Sequence, residues 1–276
     1  MVRLIGRRRL LSLIGAAAMA PAVRARSREH RIERIGLQLF TVRDALQHDF
    51  DATLARVAAV GYREVEFAGY FGHDPGEVRA SLRRAGLTAP STHVGARVLD
   101  GEWERTLDAA RTIGHRYVVI ASLHGLQTVD DYKRAAERFN RAAERAAEAG
   151  IRFGYHNHDF EFRPVGTRLP YDVLLEETDP KYVCFEMDLY WIVKGGQEPL
   201  RYFARWPGRF ELVHVKDAAG PGREMVDVGA GDIDWKGLFA HSAQAGIRHY
   251  FVENDQARDP FASIAASHAY LRGLRF

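Results

Sequence analysis

Residues 117–158 read YVVIASLHGLQTVDDYKRAAERFNRAAERAAEAGIRFGYHNH. A short run of Tyr, Val and Ile (117–121) is followed by a long amphipathic stretch rich in Ala, Arg and Glu (129–149), then by Gly150 and a second apolar run (152–156). A run of β-formers, a helical pattern and another run of β-formers is the signature of two parallel strands, because parallel neighbours need a crossover, usually a helix. Gly150 falls just past the helical run, where a residue free to adopt left-handed backbone closes a helix with least strain.

The same alternation continues in both directions from residue 30 to the C-terminus. Strands are expected at 35–39, 64–68, 91–94, 117–121, 152–156, 183–188, 211–215 and 250–253. Helices are expected at roughly 49–60, 76–86, 102–113, 129–149, 171–178, 198–206, 234–246 and 260–274, several of them closed by Gly. No Pro-rich linker, low-complexity segment or break in composition interrupts the series. Eight βα units therefore predict a single-domain (β/α)8 barrel over residues 30–276 rather than an open doubly wound sheet, which would leave edge strands. With 276 residues and 46% hydrophobic content, the chain can bury one large core.

The first 25 residues have a different character. A basic Gly6-Arg7-Arg8-Arg9 precedes an apolar run over 10–20 and small residues at Ala20-Pro21-Ala22 and Ala25. This is the layout of a secretory signal, and the adjacent arginines resemble a twin-arginine signal. The apolar run is too short to span a bilayer as a helix. The expectation is a signal peptide over 1–25 and a mature protein that is periplasmic or secreted, with no stable membrane insertion after cleavage. The formal charge of +3 and pI near 9.0 owe much to five arginines in this segment, and the remainder is mildly acidic. Such a chain gives no reason to expect a nucleic-acid partner. The single cysteine, Cys184, sits in an apolar run and reads as core filler.

In a (β/α)8 barrel the active site forms at the C-terminal ends of the strands. Those ends read Gln38, Glu66, His93, Ser122, His156-Asn157-His158, Glu186-Met187-Asp188, His214-Val215-Lys216-Asp217 and Glu253-Asn254-Asp255. Each of these side chains alone is more often structural than functional. Their convergence on one barrel mouth reverses that judgement. Period-two alternation puts Glu186 with Asp188 on one face, and likewise His214 with Lys216 and His156 with His158. Imidazole nitrogens and carboxylate oxygens suit Mn, Zn, Co or Fe better than Mg or Ca, and one divalent metal ion is expected. The glycines of Val228-Gly229-Ala230-Gly231-Asp232 lack the dinucleotide fingerprint and read as a turn into a helix cap at Asp234, so no nucleotide cofactor is expected.

Several segments together resemble the xylose isomerase-like TIM barrel superfamily, the sugar phosphate isomerase/epimerase group. They are Gly36-Leu37-Gln38-Leu39-Phe40-Thr41-Val42-Arg43-Asp44, Tyr155-His156-Asn157-His158-Asp159-Phe160-Glu161-Phe162, Met187-Asp188-Leu189-Tyr190-Trp191, His214-Val215-Lys216-Asp217, Val228 through Trp235, and Val252-Glu253. The resemblance implies one metal held by a Glu, an Asp, a His and a Glu at the ends of the fifth to eighth strands. Asp188, His214 and Glu253 match the last three. His156 stands where the first Glu is expected, with Glu161 as a rival ligand five residues on.

The activity implied is sugar isomerisation or epimerisation, by proton abstraction next to a carbonyl through an enediolate that the metal stabilises. The His-x-His arrangement also resembles members that dehydrate or eliminate from keto-sugars and 3-keto-glycosides, which makes a lyase the alternative. On this reading His156, Asp188, His214 and Glu253 hold the metal. His158 or Glu161 serves as base, Lys216 or His93 donates a proton, and Glu253 counts among the catalytic groups as well as the metal ligands. Gln38, Glu66, His93 and Asp217 contact the substrate, while Trp191, Tyr190 and Phe71 offer apolar surface to the sugar. Lys216-Asp217 could equally be a local ion pair at the rim. The superfamily also includes abasic-site endonucleases, which the absence of a basic stripe disfavours. A sugar-binding protein without catalysis would have little need for so many titratable groups at one mouth.

Overall fold

The computed structural model describes residues 30–276. The expected signal segment, 1–25, lies outside the described residues. The barrel strands are β1 (Gly36–Gln38), β2 (Glu64–Phe67), β3 (Thr88–Val94), β4 (Tyr117–Ile120), β5 (Arg152–His156), β6 (Val183–Asp188) and β7 (Phe210–Val215). An antiparallel hairpin, β8 (Asp217–Ala219) and β9 (Glu224–Val226), intervenes before the last barrel strand, β10 (His249–Val252). The order β1-β10-β7-β6-β5-β4-β3-β2 is closed, and every pairing in it is parallel. All eight expected strands are present, and the barrel is the expected one. At the closing seam Gly36 lies beside Phe251, and a Cβ on Gly36 would stand 2.5 Å from that ring. Glycine there lets the seam shut.

Side chains alternate between two apolar environments. Val118, Phe153, Phe185 and Val213 face outward into the large core shared with the helices. Tyr117, Val119, Cys184, Leu212 and Phe251 form a separate cluster that fills the barrel lumen. Cys184 is free and fully buried there, as its apolar setting in the sequence implied. The lumen plug is the floor on which the polar strand ends rest.

Three features differ from the sequence reading. The hairpin β8/β9 was not expected. The helix expected at 234–246 is two pieces, Trp235–Phe239 and Ser242–Ala245, because His241 and Ser242 turn their side chains back to the carbonyls of Gly237 and Phe239. Short helices also start immediately at strand ends, notably Leu189–Lys194 after β6. Asp188 caps that helix, its Oδ1 accepting from the backbone N–H of Tyr190 and Trp191 at 3.0 and 2.9 Å. One oxygen of Asp188 is thus fixed by local structure, leaving Oδ2 to the barrel mouth.

Candidate active site

At the C-terminal mouth a cavity of about 520 Å³ opens, with His93, His156, His158, Lys216, Glu253 and Asp255 among its polar wall and Phe40, Val94 and Val98 among its apolar wall. The polar groups come from the ends of β3, β5, β7 and β10. Barrel closure brings them together from positions up to 162 residues apart, from His93 to Asp255.

The centre is built on Asp188 and His214, both fully buried. His156 Nε2 is 3.2 Å from Asp188 Oδ2, while His214 Nδ1 is 3.7 Å from that oxygen and 2.9 Å from Glu253 Oε2. The approach of Glu253 to Nδ1 is close but not along a hydrogen-bond direction, so this buried nitrogen has no hydrogen-bond partner. His156, Asp188 and His214 can each direct one donor atom at a common point. An orphaned imidazole nitrogen between two carboxylate oxygens is a donor set that fits a divalent cation of the zinc or manganese type.

Lys216 reaches into the same space. Its Nζ lies 3.0 Å from Asp188 Oδ2, 2.6 Å from Glu253 Oε2 and 3.0 Å from Asp255 Oδ2. Burial works against charge on this amine, but the three carboxylates outweigh it and hold the ammonium well above the ordinary lysine range. Burial would likewise raise Asp188 and Glu253. The Lys216 charge, with His156 and His214, instead holds Asp188 down to about 2, and Lys216 with His214 holds Glu253 well below the usual range. Asp255 is pushed the other way, to about 7, by burial and by the neighbouring Glu253 charge. Burial lowers His156 to about 4 and His158 to about 3, so both rings are neutral near pH 7.

The remaining expected residues divide clearly. His158 lines the cavity with a buried Nδ1 that has no partner, and Trp191 stands beside it with ring centroids 5.6 Å apart. His93 lines the cavity and touches Glu186 at 2.5 Å. Gln38 and Glu66 lie beneath the floor: Gln38 Nε2 donates to Glu66 Oε2 at 2.7 Å, and neither borders the cavity. They pair with each other below the cavity wall, and Glu66 Oε2 also accepts from His214 Nε2 at 2.7 Å.

Glu161 is also behind the wall. It accepts from Tyr155 OH and, at 2.9 Å, from the backbone N–H of His158, so it braces the His158 segment instead of facing substrate. Asp217 points away from the mouth. Its carboxylate accepts from the N–H groups of Ala218, Gly229, Gly231 and Ile233 and from Trp235 Nε1, tying the 228–235 turn to the end of β7. It neither contacts the cavity nor pairs with Lys216. Of the proposed apolar surface, Tyr190 donates to Arg223 O and Phe71 lies 6.3 Å from Phe50, and neither borders the cavity. Asp255, on the cavity wall, and Glu186, against His93 and His214, join the charged groups here without having been expected in the site. Their signal was available, since each shares strand parity with an expected ligand, Glu253 and Asp188 respectively.

Comparison with known proteins fits this geometry. A family model described as xylose isomerase-like TIM barrel matches residues 54–274. An inosose dehydratase of Lacticaseibacillus casei is 25% identical over 265 residues, covering 80% of this chain and 88% of that one. An inosose dehydratase of Geobacillus kaustophilus is 26% identical over 200 residues, and the match spans 64% of either length. The crystal structure of a sugar phosphate isomerase/epimerase from Parabacteroides distasonis superposes with a TM-score of 0.79 at 30% identity, covering 92% of this chain and 98% of that one. The fold, the strand-end chemistry and these likenesses agree: the chain belongs to the xylose isomerase-like TIM barrel family.

Proposed function

We propose that this protein is a lyase acting on a ketone-bearing sugar or cyclitol, removing the proton next to the carbonyl and expelling the oxygen substituent one carbon further on. The observation that carries the reading is the asymmetry of the cavity. A two-base epimerase needs a proton-moving group on each face of the substrate. Here the β5 wall presents His156, committed to Asp188 at 3.2 Å and to Ala121 O at 3.1 Å, and His158, which burial lowers to about 3 and so makes a weak proton acceptor near pH 7. The carboxylate left to cycle a proton stands on the other wall, Asp255, whose affinity for protons near pH 7 suits a general base that later acts as acid.

A divalent cation held by Asp188, His214, Glu253 and His156 would polarise the carbonyl and make the neighbouring C–H acidic. Asp255 takes that proton and returns it to the leaving oxygen on the same face, so that water departs and a carbon–carbon double bond forms. The Lys216 ammonium, 3.0 Å from Asp255, holds the carboxylate in place and offsets the negative charge of the enolate. His158 Nδ1 is placed to orient a substrate hydroxyl. The inosose dehydratases among the relatives support elimination. Isomerisation or epimerisation is the second reading, supported by the likeness to the Parabacteroides protein.

The test is incubation of cation-loaded protein in D₂O with keto-inositol and 3-keto-glucoside substrates, followed by NMR. Loss of water or aglycone is expected, and Asp255→Asn should slow it by at least about 100-fold with its metal content unchanged. Deuterium entering carbon without elimination would favour the isomerase, and no exchange with any ketone would sink the enolate mechanism. We also propose that residues 1–25 direct export, a reading that recovery of the unprocessed chain in the cytoplasm alone would overturn.

A further inference from the structure

Beneath His214 lies a second constellation that the reaction above leaves unused. The Nε2 atoms of His93 and His214 and one carboxylate oxygen each of Glu66 and Glu186 lie within 4.8 Å of one another. Around this ring the contacts are 2.5 Å from His93 to Glu186, 3.2 Å from Glu186 to His214, 2.7 Å from His214 to Glu66 and 3.3 Å from Glu66 to His93. Each imidazole nitrogen faces two carboxylate oxygens and carries at most one proton, so two donors serve four contacts. The other oxygens, Glu66 Oε1 and Glu186 Oε1, are buried without any partner. Both glutamates are 0% exposed.

Two carboxylates in a closed lumen call for compensating positive charge. A cation within the ring itself would satisfy all of the competing contacts at once.

We propose that Glu66, His93 and Glu186 form a second divalent-cation site, deeper in the lumen than the Asp188–Glu253 centre, with His214 between the two. One imidazole and two carboxylates suit a zinc, manganese, iron(II) or cobalt(II) ion. Ligand bonds of about 2.0–2.1 Å to a tetrahedral ion space the donor atoms about 3.3 Å apart, so the ring needs to open only slightly. His93 is the member of the ring that borders the cavity, which gives the ion its way in. The hydrogen bond between His214 Nε2 and Glu66 Oε2, at 2.7 Å, links the centres: the carboxylate that binds the inner ion orients the imidazole that binds the outer one. The site stands independently of which reaction the mouth performs.

Metal analysis of the purified chain tests this directly. The protein would be stripped with chelator, saturated with Mn²⁺, desalted, and measured by mass spectrometry for ions per chain, with EPR to detect spin coupling between neighbouring ions. Wild type should hold two ions with a coupled signal. Asp188→Asn and Glu186→Gln should each hold one, uncoupled, with unchanged circular dichroism. If Glu186→Gln does not fold, His93→Gln at the cavity edge should show the same loss. A wild type with one ion, lost in Asp188→Asn and retained in both Glu186→Gln and His93→Gln, would overturn the inner site alone and leave the ring as a hydrogen-bonded support for His214. No bound ion at all would overturn the outer centre as well.

Discussion

Lys216 shows how one side chain constrains the chemistry around it. Its ammonium contacts Asp188 Oδ2 and Glu253 Oε2, the same oxygens that flank His214 Nδ1. A divalent cation must share those oxygens with it or displace it toward Asp255, which already accepts from Nζ at 3.0 Å. Replacing the amine with an apolar chain of similar length removes a competing positive charge from three carboxylates. Lys216→Met should therefore bind divalent metal more tightly, by roughly tenfold or about 1.4 kcal/mol, when titrated calorimetrically. Weaker binding would mean that the amine supports the cation instead of competing with it. Strand parity in the sequence already placed Lys216 on the face of His214. It could not say that the nearest carboxylates would be Asp188, Glu253 and Asp255, which arrive from other strands.

At the scale of elements, the segment after β7 departs most from its sequence reading. Lys216 and Asp217 are neighbours in sequence, yet strand alternation sends one into the mouth and the other out to the 228–235 turn. There Asp217 Oδ2 accepts from Gly229 N–H at 2.8 Å and Trp235 Nε1 at 2.9 Å, and a Cβ on Gly231 would stand 2.3 Å from Asp217 Oδ1. Glycine at 231 lets the backbone close on this buried carboxylate, and glycine at 229 leaves room for the Tyr270 ring. Asp217→Ala strands two buried donors, Ala218 N–H and Trp235 Nε1, each worth about 1.5 kcal/mol or more, so a loss of about 3 kcal/mol is expected in urea unfolding. Metal stoichiometry should not change. A variant of wild-type stability that binds substrate poorly would restore Asp217 to the site.

The whole molecule carries a pH signature away from the mouth. His115 follows the helix Trp103–Ile113, with Nδ1 2.7 Å from Ala89 O on β3 and Nε2 3.1 Å from Tyr70 OH beyond β2. Burial lowers it to about 4. Its folded value lies below the unfolded value near 6.5, so between them the unfolded chain binds more protons. The stability is present in full above pH 6.5 and is lost as pH falls toward 4, by about 3 kcal/mol in all. His115→Gln should flatten that part of the urea midpoint against pH, and equal slopes for both proteins would refute the assignment. The count of barrel strands, most of the helices and the strand ends that carry polar groups were legible in the chain because they depend on spacing along it: period two, period 3.6, and the glycines between. Asp188, His214 and Glu253 were expected together from the family resemblance, and the fold brings them to one place, with Glu253 Oε2 2.9 Å and Asp188 Oδ2 3.7 Å from His214 Nδ1. What the chain alone left open is which strand-end groups face substrate and which face one another. Gln38, Glu161 and Asp217 look like site residues in the sequence and are turned to structural partners in the fold, while Glu66 and Glu186 meet His93 and His214 below the mouth and Asp255 meets Lys216. That division depends on distances across the closed lumen, between residues up to 148 positions apart, such as Glu66 and His214. Barrel closure and the volume of its apolar plug set those distances, and neither is written in any local stretch of sequence.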